Sequence, residues 1–142
     1  MATKLCQNFL YLMAKGDIDF DTDSFIIILM DTGFTFTRGS YHEYADISAY
    51  ELATGNGYTQ YTKALAGISI TRNDTLYKVT ITWTNPQWVA SGGPIGPTPG
   101  ACIIDDTVTD DPIVGYIDFG GEGTEPDGGT FTITSPTVEL TT

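Results

Sequence analysis

Four aspartates alternate along Asp17-x-Asp19-x-Asp21-x-Asp23, a spacing at which carboxylates of one short segment can converge on a hard cation. A calcium loop of this type also needs glycine at its sixth position and a bidentate glutamate at its twelfth. Those positions are Thr22 and Ile28 here, so the run reads as a solvated turn feeding the next strand. A second acidic group, Asp105, Asp106, Asp110 and Asp111, stands just before Pro112. It offers oxygens to a cation, but its simpler reading is a polar turn whose aspartates accept local backbone hydrogen bonds. No metal site and no cofactor are assigned.

Other constellations are weaker still. Carboxylate pairs serve glycoside hydrolysis only where an apolar surrounding raises one pKa. The one acid inside an apolar stretch, Asp118, falls by alternation on the outer face of its strand. His42 has Ser40 two positions before it, but no nucleophile-elbow sequence occurs in the chain. Gly55-Asn56-Gly57 lacks the Lys and Ser/Thr of a phosphate-binding loop and reads as a turn. Cys6 and Cys102, with one histidine, are too few for a zinc site and read as buried free thiols. The chain is therefore expected not to be an enzyme.

Charge narrows the partners. The formal net charge is −12, and no lysine or arginine follows Lys78, whereas nine carboxylates lie between Asp105 and Glu139. Such a field repels phosphate backbones and anionic headgroups, so neither nucleic acid nor a membrane surface is an expected partner. With 41% hydrophobic and 12% aromatic residues the chain is too apolar for an acidic disordered tail. No apolar run approaches the roughly 20 residues that span a bilayer, and the segment from Leu5 to Met13 does not read as a secretory signal. The expectation is a protein made in the cytoplasm and folded as one domain over residues 1–142.

These residues need a scaffold. Leu5, Phe9, Leu12 and Met13 recur at i, i+4, i+7 and i+8, a helical stripe with Thr3 as N-cap and Gly16 as stop. The helix is too short to stand alone and must dock, so residues 1–16 are expected to form a docking helix and residues 17–142 a β-sandwich. Ser24 to Met30 is a continuous aliphatic run, the pattern of a strand buried on both faces. From Phe34 to Leu52 periodicity is lost, apart from a short helical turn at Tyr44 to Ile47. Ile68 and Ile70 alternate with polar residues, Asn73-Asp74 turns the chain, and Tyr77, Val79, Ile81 and Trp83 point inward from the clearest strand.

Pro86, Pro94, Pro97 and Pro99 confine the following strands to Trp88–Val89 and Ala101–Ile104, near edges. Ile113 to Phe119 and the strand begun by Phe131 and Ile133 read as an antiparallel hairpin over 113–134, turning at Gly120 to Gly129. The fold class is all-β: an antiparallel β-sandwich or jelly roll led by one short N-terminal α-helix.

The order of segments carries a resemblance. The short helix, Asp17 to Asp31 ending in an aliphatic strand, Gly55-Asn56-Gly57-Tyr58-Thr59, Leu65-Ala66-Gly67, the strand closing on Trp83, Gly115-Tyr116-Ile117-Asp118-Phe119-Gly120 and Asp127-Gly128-Gly129-Thr130-Phe131-Thr132-Ile133 span most of the chain. Together they resemble a family of small tailed-bacteriophage virion proteins. The matching residues are turn and core residues, with no catalytic signature, and the Pro86–Pro99 segment is longer than the resemblance leads one to expect. The resemblance implies a decoration or cement protein on the capsid exterior, in contact with the major capsid protein and with copies of itself, as a trimer for instance. Leu5, Phe9, Leu12, Met13 and Trp88 are the partner-binding candidates. The alternative is a tail or fibre adhesion module stacking Trp88, Tyr41 and Tyr44 on host glycans.

Overall fold

The computed structural model describes residues 3–142. Strand β1 (Thr3–Leu5) and helix α1 (Gln7–Lys15) open the chain, followed by β2 (Phe25–Leu29) and the single-turn helix α2 (Tyr44–Ile47). A 3-10 turn at Ser48–Tyr50 follows, and the remaining elements are strands: β3 (Ser69–Asn73), β4 (Lys78–Thr82), β5 (Gln87–Val89), β6 (Ile95–Asp105), β7 (Ile113–Glu125), β8 (Thr130–Thr132) and β9 (Thr137–Thr141). Every pairing between them is antiparallel. The fold is all-β and sandwich-like, as its alternation predicts.

A four-stranded sheet in the order β1-β7-β6-β2 holds the centre. Its register sets Phe25, Ile27 and Leu29 beside Asp105, Ile103 and Ala101 on one face, and Ile26 and Ile28 beside Ile104 and Cys102 on the other. All five residues of β2 are buried, so both faces are covered, as the aliphatic run requires. Phe20 and Trp83 cover the first face at 5.1 and 5.5 Å from the Phe25 ring, with Phe9 against Phe20. Phe34 and Phe36 cover the second, each 5.4 Å from Tyr116. The loop at 34–41 is thus a packed layer although it has no regular structure.

Sheet β3-β4-β9 supplies Trp83, Ile81 and Val138 to the core, and β5-β8 forms a small third sheet. Several expectations need correction. The first element is β1, not helix, so Leu5 lies in a strand opposite Gly115, and Cys6, not Thr3, occupies the N-cap of α1. Thr3 instead donates its hydroxyl to the Thr137 carbonyl. Thr3–Leu5 are therefore built into the central sheet and only Gln7–Lys15 forms the helix, which docks on the core through Phe9, Leu12 and Met13; residues 1 and 2 lie outside the described ones. Gly16 does stop α1, in the left-handed conformation.

The hairpin expected over 113–134 does not form. β7 runs on through Gly120-Gly121 and pairs with β6 and β1, while β8 pairs with β5. β6 begins at Ile95 and contains Pro97 and Pro99. The prolines sit where β6 has lost β2 as a neighbour, since β2 reaches only Ala101, and where its register with β7 shifts. That half of β6 is an edge, which is where a strand tolerates a residue without an N–H.

Candidate functional site

Three places gather chemistry or exposed apolar surface. The largest concavity, about 690 Å³, is an open groove between α1, the 17–23 turn, the segment before α2 and the β6–β7 loop. Asp17, Asp23, Glu43, Asp110 and His42 line it. Among the described residues no three Asp, Glu, His or Cys side chains converge to hold a metal ion. The alternating aspartates serve their own backbone: Asp19 Oδ1 accepts the Asp21 N–H at 2.9 Å, and Asp23 Oδ2 accepts the Asp19 N–H at 2.8 Å. This is the turn read from the sequence.

Asp105 accepts local backbone hydrogen bonds as a turn aspartate does, but it is buried. It is the last residue of β6, paired with Phe25, and is 0% exposed. Its Oδ1 accepts the N–H groups of Thr107 (2.9 Å) and Val108 (3.2 Å), while Oδ2 is buried without a protein donor. Burial pushes the carboxyl up to about 7, with the neighbouring Asp23 acting in the same direction; the two backbone donors act the other way. Asp105 lies beneath the groove, where the Asp106 N–H bonded to the Ser24 carbonyl (3.1 Å) and the Ser24 N–H bonded to the Thr107 hydroxyl (2.8 Å) pin the β6–β7 loop beside the 17–23 turn.

The second place is wholly unforeseen. Glu51 is 4% exposed, and its carboxylate is met by three donors: Tyr58 Oη at 2.7 Å, Tyr44 Oη at 2.6 Å and the Tyr61 N–H at 2.8 Å. Tyr58 Oη also accepts the Leu29 N–H at 3.0 Å, on the outer edge of β2. Tyr61 has φ of +55°, uncommon for a bulky side chain; its N–H bond to Glu51 and its ring stacked 4.2 Å from Tyr44 hold it there. The buried carboxylate is satisfied, so the cluster fastens the 44–61 loop to the sheet edge. The tyrosines are scattered without periodicity, and Glu51 carries no local signal of burial.

The residues nominated for partner contact are mostly committed to this chain. Phe9 is 0% and Trp88 4% exposed; Leu5, Leu12 and Met13 are half-buried against the same core. Trp88 packs on Tyr58 and Phe131, with the Lys63 ammonium 5.4 Å from its ring. As binding residues, Phe9 and Trp88 are therefore corrected: the register that pairs Trp88 with Phe131 turns its ring inward and leaves Val89 outside, 60% exposed. On α1 the outward residues are Leu10 and Tyr11. Tyr41 and Tyr44, named for glycan stacking, are half-buried against Phe34 and Tyr61.

The third place is the arm made by β3, β4 and β9. Its register puts Ile70, Arg72, Val79, Ile81, Val138 and Leu140 on one face, and a polar set including Thr71, Thr80 and Glu139 on the other. Ile81 and Val138 lie in the core, at 1% and 0% exposure, but the same apolar face continues past it. There Ile70 is 47% and Tyr77 70% exposed, while Val79 and Leu140 are half-buried around a shallow groove of about 300 Å³. Tyr77 and Ile70 are thus outside, contrary to the inward alternation. The alternation marks the face correctly but carries no information about where the core beneath it ends.

The chain matches no known family profile, no curated protein and no solved structure.

Proposed function

We propose that this chain is a bacteriophage virion structural protein, a capsid decoration or cement protein that stabilises the head by protein–protein contact. The observation that carries the reading is the arm: an apolar sheet face that overhangs its own core and, with the β3–β4 turn, leaves Ile70, Leu76 and Tyr77 in solvent. Contiguous apolar surface left exposed marks an interaction site. An assembly protein repeated over a shell needs such a fixed surface and needs no pocket for chemistry. The acidic residues Asp110, Glu122, Glu125 and Asp127 lie in solvent or at its edge, and in this reading they point away from the shell. The major capsid protein and sister copies are the proposed partners, and the capsid exterior is the proposed location.

The test is reconstitution. Purified full-length protein is added to capsids lacking it, and bound stoichiometry is read alongside resistance to heat and osmotic shock. Saturable binding with raised resistance is expected. Absence of binding, together with absence of the protein from purified virions by mass spectrometry, sinks the reading.

A further inference from the structure

Sheet edges in this fold are unequally protected. The outer edge of β2 is bonded by Lys63, Leu65 and Leu52 through backbone groups and by Tyr58 through its hydroxyl. β9 lies beside β1, linked by the Thr3 hydroxyl. β3 pairs with β4 on one side and, among the described residues, with nothing on the other, and all five of its residues are exposed. Its segment Ser69-Ile70-Thr71-Arg72-Asn73 contains no proline and a single charge, and its register with β4 runs without a bulge. These are the devices by which proteins blunt an open edge, and apart from that one charge β3 lacks them.

Charge decides which occupant fits. The arm carries Arg72 and Lys78 against Asp74 and Glu139, so it is neutral, and the net charge of −12 resides entirely on the remainder of the chain. Arg72 is paired with Asp74 at 3.0 Å and Lys78 with Glu139 at 2.8 Å. Two copies of a chain at −12 repel across most approaches, and the arm is the part through which they can meet without opposing like charge.

We propose that β3 pairs antiparallel with β3 of a second copy about a two-fold axis, joining two three-stranded sheets into one of six strands. Directly opposed residues in an antiparallel pair lie on one face, which restricts a two-fold to being centred on a residue. Centred on Arg72, it would oppose two guanidinium groups; centred on Thr71, it would set each Ile70 against the Arg72 of the other copy and leave no apolar pair. Centred on Ile70, it sets Ile70 against its own copy and Arg72 against Ile68 of the other, an apolar pair flanked by an aliphatic stem. The Ile70-centred arrangement is the one assigned. It belongs to the free protein and requires no shell.

Sedimentation equilibrium of the full-length protein tests this, with the wild type compared with Ile70→Lys, whose exposed position leaves the core untouched. The wild type is expected to dimerise with rising concentration, and more strongly as salt screens the −12 bodies from one another. The lysine variant, folded by circular dichroism, is expected to dimerise roughly tenfold or more weakly, because like charges then stand opposite. Under mild oxidation Ile70→Cys is expected to cross-link to a dimer, since opposed Cβ atoms approach within disulfide range. A wild type that stays monomeric at millimolar concentration, or a dimer unaffected by Ile70→Lys, overturns the proposal. Capsid binding by a strictly monomeric wild type would overturn the pairing and leave the decoration reading standing.

Discussion

Replacing Asp105 by Asn isolates the titration of the buried carboxyl beneath the groove. In the folded protein this carboxyl, 0% exposed, is pushed up to about 7 by burial and by Asp23, whereas in the unfolded chain it returns to about 3.9. The folded state therefore holds the proton more tightly. Its stabilising contribution is complete below about pH 4 and is lost as pH rises through about 7. An asparagine keeps the acceptor for the Thr107 and Val108 N–H groups and supplies an amide donor towards Asp23, so it mimics the protonated form at every pH.

A difference of about three pKa units corresponds to at most about 4 kcal/mol at 1.36 kcal/mol per unit. With about 0.3 kcal/mol/K of unfolding entropy for a chain of this size, that is a gain of up to roughly 13 °C in Tm. The assay is thermal unfolding followed by circular dichroism from pH 4.5 to 8.5. The variant should nearly match the wild type at the acid end, pull ahead as pH rises, and hold a constant lead above about pH 8. Titrating groups other than Asp23, which is coupled to Asp105, are common to both proteins and cancel in the difference. A pH-independent gap, or a variant less stable than wild type at pH 8, would refute a buried neutral Asp105.

Two further substitutions probe the packing. Trp88→Ala should cost about 3–5 kcal/mol in urea unfolding, the range for emptying a buried aromatic site; a near-neutral stability effect would return Trp88 to the list of surface contacts. Tyr58→Phe strips the acceptor from the buried Leu29 N–H and a donor from Glu51, and should cost about 1–3 kcal/mol with an unchanged denaturant slope. A loss of under about 0.5 kcal/mol would show that water replaces the hydroxyl there.

Which features could be read from the sequence follows from whether their cause is local. β2 was legible because burial on both faces removes alternation and leaves an unbroken aliphatic run. The Tyr44–Ile47 turn, the Gly16 stop and the inward Trp83 likewise follow from neighbours within a few residues. β5 and β8 join Trp88 to Phe131, 43 positions apart, so the glycines at 120–129 looked like a local hairpin turn when Gly120 and Gly121 in fact lie within β7. β9 escaped because Val138 and Leu140 sit among threonines with weak contrast.

The candidate surfaces were obscured for the same reason. Asp105 beside Asp106 has the composition of a turn, and its burial is imposed by pairing with Phe25, 80 positions earlier. Glu51 is buried by tyrosines that meet only once the loop has folded. For the arm, alternation identified which face is apolar, but the point at which the core beneath it ends is a property of the packed sheets. The acidic second half remains outward at most of its turns, with Asp105 as the exception that the opposing strand creates.

The central claim is a place on a shell, and electron microscopy of the intact particle addresses it most directly. Density for this chain is expected on the outer capsid surface, with the β3–β4–β9 arm against a neighbouring protein and Asp110, Glu122, Glu125 and Asp127 facing solvent. Particles whose capsid exterior lacks the chain, or in which it occupies the tail tip, would contradict it.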